Sequence, residues 1–193
     1  MIINRIWSMP SSDTFTIKPI KELISKVFEN KENYKAIDPF VRNSIFKNLC
    51  ITNDLDESII ADYHLDALDF LKMFKDNEID IVLFDPPYSP RQISECYKKM
   101  NKVVNMETTQ SSFWSKLKVE ISRIIKENAV VVSCGWNSGG IGKKYGFNIE
   151  EILMVPHGGN HNDTIVVVER KGEIKWKNYL PNKKEWVIGI IRE

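Results

Sequence analysis

Four consecutive residues, Asp85-Pro86-Pro87-Tyr88, combine groups that suit an amino nitrogen attached to an aromatic ring. The lone pair of such a nitrogen is delocalised into the ring, which makes it a poor nucleophile. The Asp85 carboxylate and the Pro86 carbonyl can each accept one N–H. Two acceptors so placed favour a more tetrahedral nitrogen with a directed lone pair. The prolines restrict the backbone that presents them. Tyr88 offers a flat face for a heteroaromatic ring, a contact worth ~1–3 kcal/mol where single-stranded bases stack on protein aromatics. The bland alternative is a turn that merely ends a strand, so the elements around these residues decide.

Residues 79–84 form a nearly continuous apolar run interrupted only by Asp80, which predicts a buried strand ending at the prolines. In an open α/β sheet, ligands bind beyond the carboxyl ends of the strands, so residues 85–88 fall at the functional edge. Upstream, Ile20, Leu23, Ile24 and Val27 line one face of a helix over residues 18–28. Ala36-Ile37 reads as a short strand running into Asp38-Pro39-Phe40, and residues 49–52 as a second strand ending at Asn53-Asp54. Residues 67–74 read as a helix. Downstream, Phe113, Leu117, Ile121, Ile124 and Ile125 mark a helix over residues 112–126, followed by a strand over 129–133. Two more strands, 151–155 and 164–168, flank a polar loop. Alternating strands and helices predict an α/β class with a mostly parallel, doubly wound sheet. The last loop leaves no room for a crossover helix, so its strands should form an antiparallel edge hairpin. Residues 172–193, with Trp176, Tyr179 and Trp186, read as a C-terminal appendage.

A chain of 193 residues fits a single domain spanning residues 1–193. Its 42% hydrophobic and 27% charged residues are those of a globular protein. No apolar run reaches the ~18 residues of a membrane span, and the first seven residues lack the pattern of a signal peptide. Three cysteines without a CxxC pair point to free thiols in a reducing cytoplasm, and a total of only three histidines argues against a metal site. The net charge of +1 gives no general basic excess. Local clusters such as Lys98-Lys99 with Lys102 read either as solvated faces or as phosphate contacts. Residues 89–112 hold Arg91, Lys98 and Lys99 beside Tyr97, which makes this long connection the best candidate for a nucleic-acid-contacting lid.

Other polar residues stand at strand ends. Asp54 can accept hydrogen bonds from both hydroxyls of a ribose, as acidic residues do in dinucleotide-binding folds. Asp66 precedes a helix and suits an N-cap. Trp136 leaves the end of the strand over 129–133 and either lines the pocket or packs. In the loop 156–163, Gly158-Gly159 permits close approach of a ligand, and His157 and His161 are candidates for contact with a base or a phosphate as well as ordinary turn residues.

Asp85-Pro86-Pro87-Tyr88 looks like the catalytic motif of amino-methyltransferases that make N6-methyladenine or N4-methylcytosine, in the aspartate form common among the adenine enzymes. The stretch from Asn4 to about Arg170 more closely resembles small prophage-type adenine-specific DNA methyltransferases. That likeness is carried by Thr14-Phe15-Thr16-Ile17-Lys18-Pro19-Ile20, Asp38-Pro39-Phe40, Thr52-Asn53-Asp54-Leu55 and the run from Asp85 to Cys96. Thr109-Gln110-Ser111-Ser112-Phe113-Trp114, Gly135-Trp136-Asn137-Ser138, Pro156-His157-Gly158-Gly159 and His161-Asn162-Asp163-Thr164 continue it.

The resemblance implies a Rossmann-like S-adenosylmethionine-dependent methyltransferase fold and direct methyl transfer to the exocyclic N6 of a flipped-out adenine in DNA. It implies Asp85, Pro86, Pro87 and Tyr88 as catalytic residues, and Asp38, Pro39 and Phe40 as a loop around the methionine part of the cofactor. Val41-Arg42-Asn43-Ser44 departs from the glycine-rich family pattern there, and Arg42 or Asn43 could meet the cofactor carboxylate instead. Asp66 would meet the cofactor adenine, and the N-terminal segment 1–34, with Trp7 and Lys18, would cover the cofactor. Trp136, His157, His161, Arg91, Lys98 and Lys99 would face the substrate. Cytosine N4, RNA, or a non-catalytic subunit are the competing readings. A homodimer or a separate recognition subunit would supply what a chain without a target-recognition domain lacks.

Overall fold

The computed structural model describes residues 1–29, 31–89, 91, 92, 94 and 111–172. Its framework is a seven-stranded sheet in the order β1-β6-β7-β5-β4-β2-β3. The strands are β1 (Ile2–Arg5), β2 (Ala36–Asp38), β3 (Ile51–Thr52), β4 (Ile79–Phe84), β5 (Ile125–Gly135), β6 (Phe147–Val155) and β7 (Thr164–Lys171). The helices α1 (Lys18–Phe28), α2 (Ala67–Lys72) and α3 (Ser111–Ile124) pack on it. Only β7 runs against its neighbours.

Side-chain periodicity explains the layering. Ile20, Leu23, Ile24 and Phe28 of α1 are buried and meet Ile81 and Leu83 of β4 and Val130, Val132 and Cys134 of β5 on one face. On the other face, Phe70 and Leu71 of α2 and Leu117, Ile121 and Ile124 of α3 cover Ile79, Val82 and Phe84. The ladder between β4 and β5 shifts register between Ile79 and Ile81. Pro19 opens α1, where a fixed φ suits the first turn.

Strand order locates the functional edge. From β2 the chain moves outward to β3, whereas from β4 it moves the opposite way to β5. The gap between the carboxyl ends of β2 and β4 is therefore the topological switch point, where ligands of open α/β sheets bind. Asp38 closes β2 and Asp85 follows β4, so these two carboxylates share the gap.

Some sequence expectations shift. The helix expected over 112–126 gives way at Ile125 to a long β5, in which Asn128 adopts a left-handed φ of 62°. The antiparallel hairpin forms as expected between β6 and β7, with β1 added outside it in parallel with β6. Residues 1–34, expected as a cofactor cover, divide into two parts. Their first part is an edge strand at the far side of the sheet from β2, and only the stretch from Ser12 onward approaches the switch point. The expected appendage lies outside the described residues apart from Gly172. Among the described residues no helix is long and apolar enough to cross a membrane.

Candidate active site

Asp38 is fully buried at the end of β2. Its Oδ1 accepts the Phe40 amide at 3.1 Å, while Oδ2 has no hydrogen-bond partner. Burial pushes its carboxyl up to about 8, against the Phe40 amide and the Ser44 hydroxyl and reinforced by the charges of Asp85 and Asp54. A buried carboxyl oxygen without a partner is costly unless a ligand completes it. Pro39 is buried beside it, and Phe40 packs edge-on to Phe84 with ring centroids 5.9 Å apart.

Asp54 lies at the end of β3, where its Oδ2 accepts the Arg42 amide and its Oδ1 the Asp56 amide, both at 2.9 Å. These bonds orient the carboxylate and leave it further acceptor capacity. Asp66 caps α2, accepting the Leu68 amide at 2.9 Å, so the capping role is realised. Asn43 donates to Asp13 at 3.3 Å and reaches the rim of the gap. Lys18 is exposed at the first turn of α1 and is absent from the walls of both cavities described below.

Within the motif, the Tyr88 hydroxyl donates to Asp85 Oδ1. Burial raises the Asp85 carboxyl above the usual carboxylate range, opposed by hydrogen bonding from Tyr88 and Thr14 and by the charge of Arg42. Burial and the adjacent Asp85 likewise push the Tyr88 phenol upward, keeping it protonated. The Tyr88 backbone is tied by its amide to Gln92 Oε1 at 2.6 Å. Its ring meets Trp136 edge-to-face at 5.7 Å, so Trp136 is partnered with the motif, as its place after β5 suggested.

The tetrapeptide separates two cavities. One is lined by Ser12 to Phe15, by Phe40 to Ser44 and by Asp85. The other, larger one is lined by Pro86, Tyr88, Trp114, Ser133 and Trp136 among others. A ligand in each would meet across the Asp85–Pro86 peptide. Such a wall suits transfer of a small group between them.

The loop after β6 behaves differently. His157 is buried, with Nδ1 2.9 Å from the Ser8 carbonyl and Nε2 2.9 Å from Thr164 Oγ1. A carbonyl cannot donate, so Nδ1 carries a proton toward Ser8. Both ring nitrogens thus have partners within the fold. Trp7 lies in the same region. Strand pairing of β1 with β6 carries Trp7 to Gly158, with the sheet order placing β7, β5 and β4 between β6 and β2. His161 is exposed in the same turn, and its amide donates to the Gly158 carbonyl. Arg91 is exposed beyond the motif, and Lys98 and Lys99 lie outside the described residues.

Sequence reading missed several supports. Asn53 is buried and braces the gap, donating to the carbonyls of Pro39 and Leu65 and accepting the Leu65 amide. Buried Glu169 accepts the amides of Ile141 and Gly142, and Lys118 donates to the Gly140 carbonyl. A Cβ on Gly140 would come within 2.2 Å of the Glu169 carboxylate, so the glycine is required for this wrap. A glutamate in a valine-rich strand was the available signal. Among the described residues no group of three or more His, Cys, Asp or Glu side chains could hold a metal ion.

This architecture is the Rossmann-like methyltransferase fold. The sequence matches no protein-family model, and no curated protein matches it. The fold likeness is to solved structures. An S-adenosylmethionine-dependent methyltransferase from Archaeoglobus fulgidus aligns with a TM-score of 0.53 at 11% identity, over 79% of this chain and 94% of its own. The 1,6-didemethyltoxoflavin-N1-methyltransferase of Burkholderia thailandensis, with bound 1,6-didemethyltoxoflavin and S-adenosylhomocysteine, aligns at 0.56 and 9% identity, over 81% and 78%. TrmN from Thermus thermophilus aligns at 0.52 and 15% identity over 80% of this chain, which spans 49% of that one.

Proposed function

We propose that the chain is an S-adenosylmethionine-dependent methyltransferase acting on an exocyclic amino group, the N6 of adenine in DNA. The observation that carries this reading is the Asp-Pro-Pro-Tyr wall at the end of β4, with Asp85 in one cavity and Pro86 and Tyr88 in the other. Methyltransferases of the same fold, one S-adenosylmethionine-dependent and one with bound S-adenosylhomocysteine, support the cofactor.

The residues present fit that cofactor. The unpartnered, buried Oδ2 of Asp38 suits the ammonium of its methionine part, and Asp54 retains acceptor capacity for ribose hydroxyls. When bound, it supplies a methyl group activated by a positive sulfur. The chain holds the target amine in line and accepts its N–H bonds on Asp85 and the Pro86 carbonyl. A carboxyl held above its usual range is also a competent acceptor for the proton released as nitrogen gains carbon. The amino group takes over the Asp85 oxygen that the Tyr88 hydroxyl occupies. Burial raises the Cys50 and Cys134 thiols, so neither is a ready nucleophile, which supports transfer without a cysteine adduct. Adenine in DNA must leave the helix to enter the second cavity. A homodimer or a recognition subunit would contribute the DNA surface that a net charge of +1 leaves weak.

The test is incorporation of labelled methyl from the cofactor into duplex DNA and RNA, followed by digestion to nucleosides. N6-methyldeoxyadenosine is expected. N4-methyldeoxycytidine or a methylated ribonucleoside would redirect the substrate, and no incorporation despite cofactor binding would favour a binding subunit.

A further inference from the structure

Strand β5 is apolar from Ala129 to Val132 and then presents Ser133. Register pairs Ser133 with Phe84, the residue before Asp85, so its side chain stands one step below the motif. It is only 6% exposed, and its hydroxyl has no hydrogen-bond partner. It also lines the larger cavity, whose other walls include Tyr88, Trp114 and Trp136. A valine or alanine would satisfy the packing of such a strand without this cost, since a buried unpaired hydroxyl is destabilising. The hydroxyl is thus a polar atom with a cavity beside it and nothing in the fold to bind.

We infer that Ser133 is a specificity-determining residue whose hydroxyl donates to an unprotonated ring nitrogen adjacent to the target amino group. The inference rests on the functional reading above and deepens it. With the amino group held by Asp85 and the Pro86 carbonyl, the ring extends into the cavity between aromatic walls. Its neighbouring ring nitrogen then falls toward β5. The ligand class is an amino-substituted heteroaromatic base with a ring acceptor beside the amine, N1 or N7 in adenine. The hydroxyl is shut off from solvent in the ligand-free fold.

The test uses the full chain and random-sequence DNA duplexes in which one strand carries adenine, 1-deazaadenine or 7-deazaadenine, with transfer of labelled methyl as the readout. The unaltered protein should discriminate against one of the two analogues by roughly five- to tenfold in kcat/KM, the value of one hydrogen bond. Ser133→Ala should lose that same factor on adenine and treat adenine and the analogue alike. Its melting temperature should be unchanged or higher, because an unpaired buried hydroxyl is removed. If Ser133→Ala retains full discrimination, or slows all three substrates equally, the assignment is overturned while the methyltransferase reading stands. If the unaltered protein methylates no adenine substrate, that reading fails and takes this assignment with it.

Discussion

The carboxyl ends of β2 and β4 and the turn after β6 lie along the same edge of one sheet, yet they treat their polar groups in opposite ways. At the turn, both ring nitrogens of His157 find partners in Ser8 and Thr164. At the switch point, Asp38 Oδ2 and, on neighbouring β5, Ser133 Oγ are buried and unpartnered, and Asp85 is held by a tyrosine hydroxyl that a substrate can displace. Polar groups closed within the fold act in folding. Those left without a partner keep the capacity to meet a ligand. By this criterion the two regions separate cleanly, although both read as polar loops at strand ends.

The strongest way to break the comparison is Asp85→Ala. If Asp85 accepts the target amine, the variant should lose methyl transfer by about a thousandfold or more, the scale of losing a proton acceptor and a positioning contact together. Cofactor affinity measured by calorimetry should stay within a few-fold. An Asp85→Ala protein with undiminished transfer would return the motif to a strand-ending turn.

Asp38 offers a smaller but sharper test. Its carboxyl, raised to about 8, is neutral at pH 7 in the ligand-free fold. In the ligand-free protein the native state holds a proton that the unfolded state releases near pH 4, so stability falls as pH rises from about 4 to 8 and then levels. An ammonium ligand favours the carboxylate. Affinity for S-adenosylmethionine should therefore rise with pH, by up to tenfold per unit, and flatten above about 8. Asp38→Asn should bind about tenfold more weakly at pH 8, lose this slope, and melt higher than the unaltered protein at that pH. Equal slopes in calorimetry for the two proteins would remove Asp38 from the cofactor site.

Most of the scaffold and the edge that carries the motif were legible in the sequence. The limits of α1 and β4 follow from their periodicity and from the prolines beside them. The parallel order follows from alternation. What stayed hidden depends on tertiary register. Nothing local in residues 2–5 says that they pair with β6, and without that pairing Trp7 looks free to cover a cofactor. Glu169 reads as the polar end of a strand until the glycine loop closes on it. Ser133 reads as a small residue near a strand end until the cavity is seen. Asp54 illustrates the middle ground, since its place at a strand end was legible but not the Arg42 and Asp56 amides that orient it, whereas the capping role of Asp66 was legible outright.

The smallest effect belongs to His157, and it tests the other half of the comparison. Its ring joins the segment after β1 to the start of β7 through Ser8 and Thr164, across 149 residues of chain on one side and 7 on the other. Replacing it with alanine leaves the Thr164 hydroxyl and the Ser8 carbonyl without their partner and opens a small void. His157→Ala should lower unfolding stability by about 1–3 kcal/mol, the usual range for a lost buried hydrogen-bonding group. Because the ring lies beside β7 and β1, away from β2 and β4, cofactor affinity and kcat at a temperature where the variant is folded should change less than twofold. A stable His157→Ala protein with a large rise in KM for DNA would show that the turn faces substrate after all. It would also show that internal satisfaction of a polar group is not enough to assign it to the fold.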